Sequence, residues 1–139
     1  MADRALVVTS GDAAFLQHVE AGPHRFDADE PVADGGGEAG PNPYDLLLAA
    51  LGTCTSMTLS MYARKRGWPL EAVRVRLHHA KIHAEDCEQC ETKTGMVDHI
   101  EREITLIGTL DDTQRTTLLA IADRCPVHKT LKSEIAITS

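Results

Sequence analysis

Aromatic side chains make up only 4% of this chain: Trp68, Tyr44, Tyr62, Phe15 and Phe26. A core must then be built from Leu, Ile, Val, Ala and Met, and the flat platforms on which unpaired bases stack are nearly absent. Cationic side chains are also scarce, with 14 Lys and Arg against 21 Asp and Glu and a formal charge of -7. Without an excess of positive charge to neutralise phosphates, nucleic acid is not expected as a partner. The start, Met1-Ala2-Asp3-Arg4, has no apolar stretch of signal-peptide kind. The longest apolar run, residues 46–52, falls far short of the roughly 20 residues of a membrane span. No membrane association and a cytoplasmic setting are therefore expected. There is no dinucleotide fingerprint or P-loop around Gly35-Gly36-Gly37, and no internal repeat.

What is present has the composition of a globular domain, 42% hydrophobic and 25% charged over 139 residues. That length suits one domain, residues 1–139, because two would each be too small for a separate core. Three short apolar stretches, at 5–9, 15–19 and 24–28, are separated by Ser10-Gly11-Asp12 and Ala21-Gly22-Pro23, the pattern of an antiparallel meander. Residues 29–40 have turn composition and are expected to form a mobile connection.

Asn42-Pro43 is a strong helix start, since Asn caps free N–H groups and Pro loses nothing at the first helical position. No breaker follows until Gly67, so one helix of roughly 35 Å is predicted. Its middle, Leu46 to Gly52, is apolar or small on every side. Such a helix needs cover all round, which a chain of this size can complete only with a second copy of itself. Val73, Val75 and Leu77 alternate with polar residues, and the phase then changes to Ala80, Ile82 and Ala84, as in a strand carrying a bulge or a marked twist. A second strand is expected over 100–106. Asp111 with Gln114 forms a capping-box pattern for another helix, Pro126 opens a short one, and Ile135 and Ile137 alternate as in a terminal strand. Strands and helices in this order indicate an α+β fold with largely antiparallel sheets.

Four cysteines in a reducing compartment are more often catalytic or metal-binding than structural. Cys54 lies in Gly52-Thr53-Cys54-Thr55-Ser56, inside the long helix, where small neighbours leave room beside the sulfur; a core cysteine reads the same way. Cys125 precedes Pro126 at the start of a new turn, where free N–H groups favour a thiolate. Two such cysteines suit a redox pair, in which one is oxidised to a sulfenic acid and the other condenses with it to a disulfide.

The runs Gly40-Pro41-Asn42-Pro43-Tyr44-Asp45-Leu46-Leu47-Leu48-Ala49-Ala50-Leu51-Gly52-Thr53-Cys54 and Ile121-Ala122-Asp123-Arg124-Cys125-Pro126-Val127-His128-Lys129-Thr130-Leu131 resemble the OsmC/Ohr family of thiol-dependent peroxidases. The resemblance implies antiparallel sheets wrapped around long central helices in an intertwined homodimer. It also implies that organic hydroperoxides are reduced with electrons from a dithiol reductant. By resemblance Cys54 is the peroxidatic cysteine and Cys125 the resolving one. Arg25 is the best match to the arginine that favours the thiolate in the family. The glutamate that holds that arginine is replaced by Tyr44, with Asp45 as the nearest acid. No cofactor or metal is implied.

Two other readings stay open. One is an OsmC-fold small-ligand-binding or stress-associated protein with little peroxide turnover. The other is a zinc-binding regulatory module built on His83, Cys87 and Cys90, since Cys-x2-Cys is half of a common zinc site, although the same hairpin equally suits two incidental thiols or an auxiliary redox pair. His128, three residues beyond Cys125, suits either of two roles: lowering the Cys125 pKa as a cation, or packing alone. Leu51, Met57 and Met61 are expected to line a substrate wall, and Ser56, Asp45 and His128 lack the pattern of a hydrolase nucleophile elbow.

Overall fold

The computed structural model describes residues 4–139, so Met1, Ala2 and Asp3 of the amino-terminal reading lie outside the described residues. The fold is α+β with antiparallel sheets, and the chain divides into two compact units, residues 1–47 and 48–139.

In the first unit, β1 (Leu6–Ser10), β2 (Gln17–Ala21) and β3 (His24–Ala28) form the expected meander, in the order β1-β2-β3. Cross-strand charges reinforce it: His18 meets Asp27 at 2.8 Å, and Arg25 meets its register partner Glu20 at 3.4 Å. The segment expected to be a mobile connection is instead organised around the buried Asp29. Its carboxylate accepts the amides of Glu30 at 2.8 Å and of Gly37 and Ala39 at 3.2 Å each. The Ala39 amide is the main reason the Asp29 carboxyl sits below the usual carboxylate pKa, and burial only partly offsets it. A loop that satisfies a buried carboxylate with three backbone donors is held by that carboxylate, which its turn composition does not reveal.

The long helix, α1 (Pro43–Arg66), runs as the breakers predicted. Asn42 and Asp45 cap it reciprocally: Asn42 Oδ1 accepts the Asp45 amide at 2.8 Å, and an Asp45 carboxylate oxygen accepts the Asn42 amide at 3.0 Å. Gly67 ends it at φ 67°, a backbone conformation that costs a glycine nothing. By length and composition α1 could also cross a membrane, a test that the core helix of a soluble protein passes equally.

In the second unit, β4 (Leu70–His83) and β5 (Met96–Gly108) form a long antiparallel hairpin. Of the two readings of the phase change near Ala80, the bulge is absent; the register is continuous from Ala72 to His83 and shifts only between Leu70 and Ala72. The hairpin lies close against α1. A Cβ at Gly52 would come within 2.7 Å of the Leu77 side chain, which explains a glycine in the middle of a helix. Two further helices follow, α2 (Asp112–Ile121), with its complete Asp111/Gln114 capping box, and α3 (Pro126–Leu131), joined by a 3-10 turn over Ala122–Arg124. Residues 134–139 form no strand, contrary to the alternation of Ile135 and Ile137, which are both exposed. Alternation alone cannot make a strand without an edge to pair with.

Leu59 and Ala63 of α1, Leu106 of β5, Leu118 and Ile121 of α2, and Ala122 form one apolar cluster, closed at its side by Trp68, Tyr62 and Val73. That cluster clamps α1, the hairpin and α2 together. Leu118 is fully buried within it. Truncating it to Ala is expected to cost about 2–5 kcal/mol, read as a fall in the denaturant midpoint with unchanged slope.

Candidate active site

Cys54 lies halfway along α1 and is half-buried, whereas Cys125 is fully buried at the residue that starts α3. The apolar cluster packs α2 against α1, and the 3-10 turn then carries the chain back so that the two sulfurs interact. Seventy residues of chain separate two thiols that share one hydrogen bond.

Their environments differ in a way that decides where charge rests. Burial and the hydrogen bond with the Cys125 sulfur push the Cys54 thiol up, and the Val127 amide and Thr58 hydroxyl only partly oppose this. Burial also opposes ionisation of Cys125. There, however, the Cys54 thiol, the amides of His128 and Val127, and the Thr55 hydroxyl outweigh it, and its pKa falls below that of an ordinary thiol. None of the amides makes a tight capping hydrogen bond, but free N–H groups at a helix start favour a nearby anion through their dipoles. When the pair loses one proton, the charge is favoured on the buried sulfur and the S–H on the accessible one. His128 contributes through its backbone amide rather than as the ring cation expected.

Thr55 links this pair to a cation that the sequence reading missed. Arg102, on β5 and with a side chain only 13% exposed, donates from Nη1 to the Thr55 hydroxyl oxygen at 3.0 Å and to the Ala122 carbonyl at 3.4 Å. Its Nη2 pairs with Asp123 at 2.8 Å. The Thr55 hydroxyl has one proton and two acceptors to choose from, the Leu51 carbonyl at 2.7 Å and the Cys125 sulfur. A thiolate draws that proton toward sulfur, and the guanidinium on the hydroxyl oxygen makes the hydroxyl a better donor.

The other expected residues are placed as follows. Arg25 is on β3, paired with Glu20, and Asp45 caps α1. Leu51 is buried while Met57 and Met61 are 67% and 59% exposed, so the three do not form one wall. Cys87 and Cys90 are joined in a disulfide. Two sulfurs bonded to each other offer no thiolate to zinc, and among the described residues no cluster of three or more His, Cys, Asp or Glu is arranged to hold a metal.

An α+β chain with antiparallel sheets and a helix-borne cysteine beside a second cysteine defines a recognisable class of fold. The family model for OsmC-like proteins matches residues 35–139, and the chain belongs to that family. Solved structures agree in fold. An osmotic stress induced and detoxification response protein from Psychrobacter arcticus is 19% identical, with 94% of this chain and 89% of that one covered and a TM-score of 0.72. The organic hydroperoxide resistance protein OsmC of Legionella pneumophila is 19% identical, with coverage of 96% and 91% and a TM-score of 0.68. The organic hydroperoxide resistance protein OhrB of Bacillus subtilis is also 19% identical, with coverage of 95% and 92% and a TM-score of 0.63. No curated protein matches the sequence.

If the Thr55 hydroxyl lowers the Cys125 pKa, Thr55→Val removes a donor to the charged form and raises that pKa. Alkylation of Cys125, followed by mass on tryptic peptides, is expected to shift to higher pH in Thr55→Val and to stay near wild type in Thr55→Ser.

Proposed function

We propose that this protein is a cysteine-based peroxidase that reduces organic hydroperoxides. The observation that carries the reading is the contact between the Cys54 and Cys125 sulfurs with their opposite pKa shifts. Cys54 is the sulfur a substrate can reach, so it attacks the peroxide. The neighbouring Cys125 thiolate takes the Cys54 proton, the resulting Cys54 thiolate forms an S–O bond to one peroxide oxygen as the O–O bond breaks, and the departing alkoxide takes that proton from Cys125 to leave as an alcohol. Cys54 is now a sulfenic acid.

The Cys125 thiolate then attacks the Cys54 sulfur, and hydroxide departs and is protonated by solvent to water. The product is a Cys54–Cys125 disulfide, so two thiol sulfurs have each given up one electron to the peroxide. A dithiol reductant restores the pair by exchange, becoming a disulfide itself. Keeping the resolving sulfur ionised shortens the life of the sulfenic acid and protects it from further oxidation.

Arg102, acting through Thr55, supplies the cation of this reading, with Asp123 holding it. Arg25 and Asp45 are the cation and acid implied by the family resemblance and form a second, separable assignment. A homodimer and a cytoplasmic location belong to the same proposal. The dimer is supported by an apolar stripe on α1: Leu47, Ala50, Met57 and Met61 are all exposed and recur at helical spacing on one face.

Hydroperoxide consumption with excess dithiol tests the assignment. Cys54→Ser is expected to abolish it, and Cys125→Ser to accumulate a trappable sulfenic acid on Cys54 without turnover. Arg102→Gln is expected to slow the first turnover at least about tenfold, the order of one lost charge-assisted hydrogen bond, and more than Arg25→Ala does. Thiols that stay unaltered by hydroperoxide would leave the small-ligand-binding reading in its place.

A further inference from the structure

We propose that the Cys87–Cys90 disulfide at the tip of the β4–β5 hairpin is a second redox centre, exchanging with small dithiols and selecting against anionic thiols. The pair is three residues apart in the chain, with Cα atoms 5.4 Å apart, and both residues are half-buried beside a run of exposed positions from Glu91 to Met96.

Nothing in the hairpin needs this bond for its shape. The strands are paired up to His83 and Met96, and beyond them the Ala84 amide donates to the Gly95 carbonyl at 2.8 Å. The Cys87 amide donates to the Ala84 carbonyl at 3.1 Å, and Lys93 Nζ donates to the Cys90 carbonyl at 2.7 Å. The chain-entropy contribution of a disulfide grows with the loop it closes, so a bond spanning so few residues adds least of all. A bond with little structural effect, in a protein proposed for a reducing compartment where structural disulfides are rare, fits a group that opens and closes.

The centre is also separate from the thiol pair on α1. Arg102 marks the level of that pair on β5, and Met96 lies six residues nearer the tip, about 20 Å along an extended strand. Electrons reach the hairpin from outside the fold. A thiolate of the incoming dithiol attacks one of the two sulfurs; a mixed disulfide forms and the Cys87–Cys90 bond breaks, the released thiolate taking a proton from solvent. The donor's second sulfur then attacks the mixed disulfide and frees the other cysteine, which is protonated in turn. Two electrons and two protons pass to the hairpin, and the donor leaves as a disulfide.

Charge sets which thiols approach. Glu85, Asp86, Glu88 and Glu91 flank the two cysteines in the chain, and Lys93 donates to the Cys90 carbonyl. Four carboxylates, each within two residues of one of the two cysteines in the chain, repel a thiolate that carries a further carboxylate, and salt screens this repulsion.

The tryptic peptide of residues 82–93 carries both cysteines and neither Cys54 nor Cys125, so the readout is independent of the peroxidase assignment. The native protein is equilibrated with reduced and oxidised dithiothreitol, and this peptide is read by differential alkylation and mass. The expected result is reversible opening and closing in a single two-electron transition. A bond that resists dithiothreitol until the protein unfolds, or thiols that never close, would overturn the proposal. In the second arm, opening rates per thiolate are compared for 2-mercaptoethanol and 3-mercaptopropionate. The anionic reagent is expected to be about fivefold slower at low salt, with the gap closing at high salt and in Glu88→Gln/Glu91→Gln. Equal rates at low salt would overturn the charge selection.

Discussion

The proposed peroxidase chemistry depends on one contact, the hydrogen bond between a half-buried thiol on α1 and a fully buried one at the start of α3. Two sulfurs at that separation cannot titrate independently, because removing one proton strengthens the hold on the other. The asymmetry of the surroundings then decides the roles. The buried sulfur has more donors aimed at it, which favour its charged form, while the more exposed sulfur is the harder of the two to ionise. Access and ionisation are divided between two residues, whereas a lone nucleophile must combine them.

The rest of the fold serves that contact. Leu59 and Ala63 anchor α1 to Leu118 and Ile121 of α2, and the 3-10 turn after α2 has only three residues in which to bring Cys125 round. Gly52 lets Leu77 of β4 lie tight against the helix two residues before Cys54. Arg102, on the partner strand opposite Leu77, is thereby carried to the Thr55 hydroxyl. The same packing that stabilises the unit therefore sets the electrostatics of its thiols.

Much of this was legible in the residues, and the misses have a common cause. Helix ends are written locally, in Asn42-Pro43, in Gly67 and in the Asp111/Gln114 box, and α1 starts and stops, and α2 starts, where those residues place them. Cys54 and Cys125 stand out because small neighbours and a following proline are also local signals. Arg102 carries no such signal: between Glu101 and Glu103 it reads as one more outward charge of an alternating strand, and only the approach of β5 to α1 gives it a role. Asp29 is similar, since its three amide donors come from a loop that reads as unstructured. The terminal Ile135 and Ile137 failed for the opposite reason, a local pattern without the neighbouring edge that a strand requires. Long-range partners, not local propensities, are what the sequence reading lacked.

The shared proton is the central claim, and thiolate absorbance against pH measures it directly. The protein is titrated in a Cys87→Ser/Cys90→Ser background, so that only the pair responds, and compared with the same protein carrying Cys54→Ser or Cys125→Ser. The account expects the intact pair to lose its first proton at a lower pH than either single-thiol variant, and its second at a higher pH than both. A curve for the intact pair that is simply the sum of the two variants would contradict it.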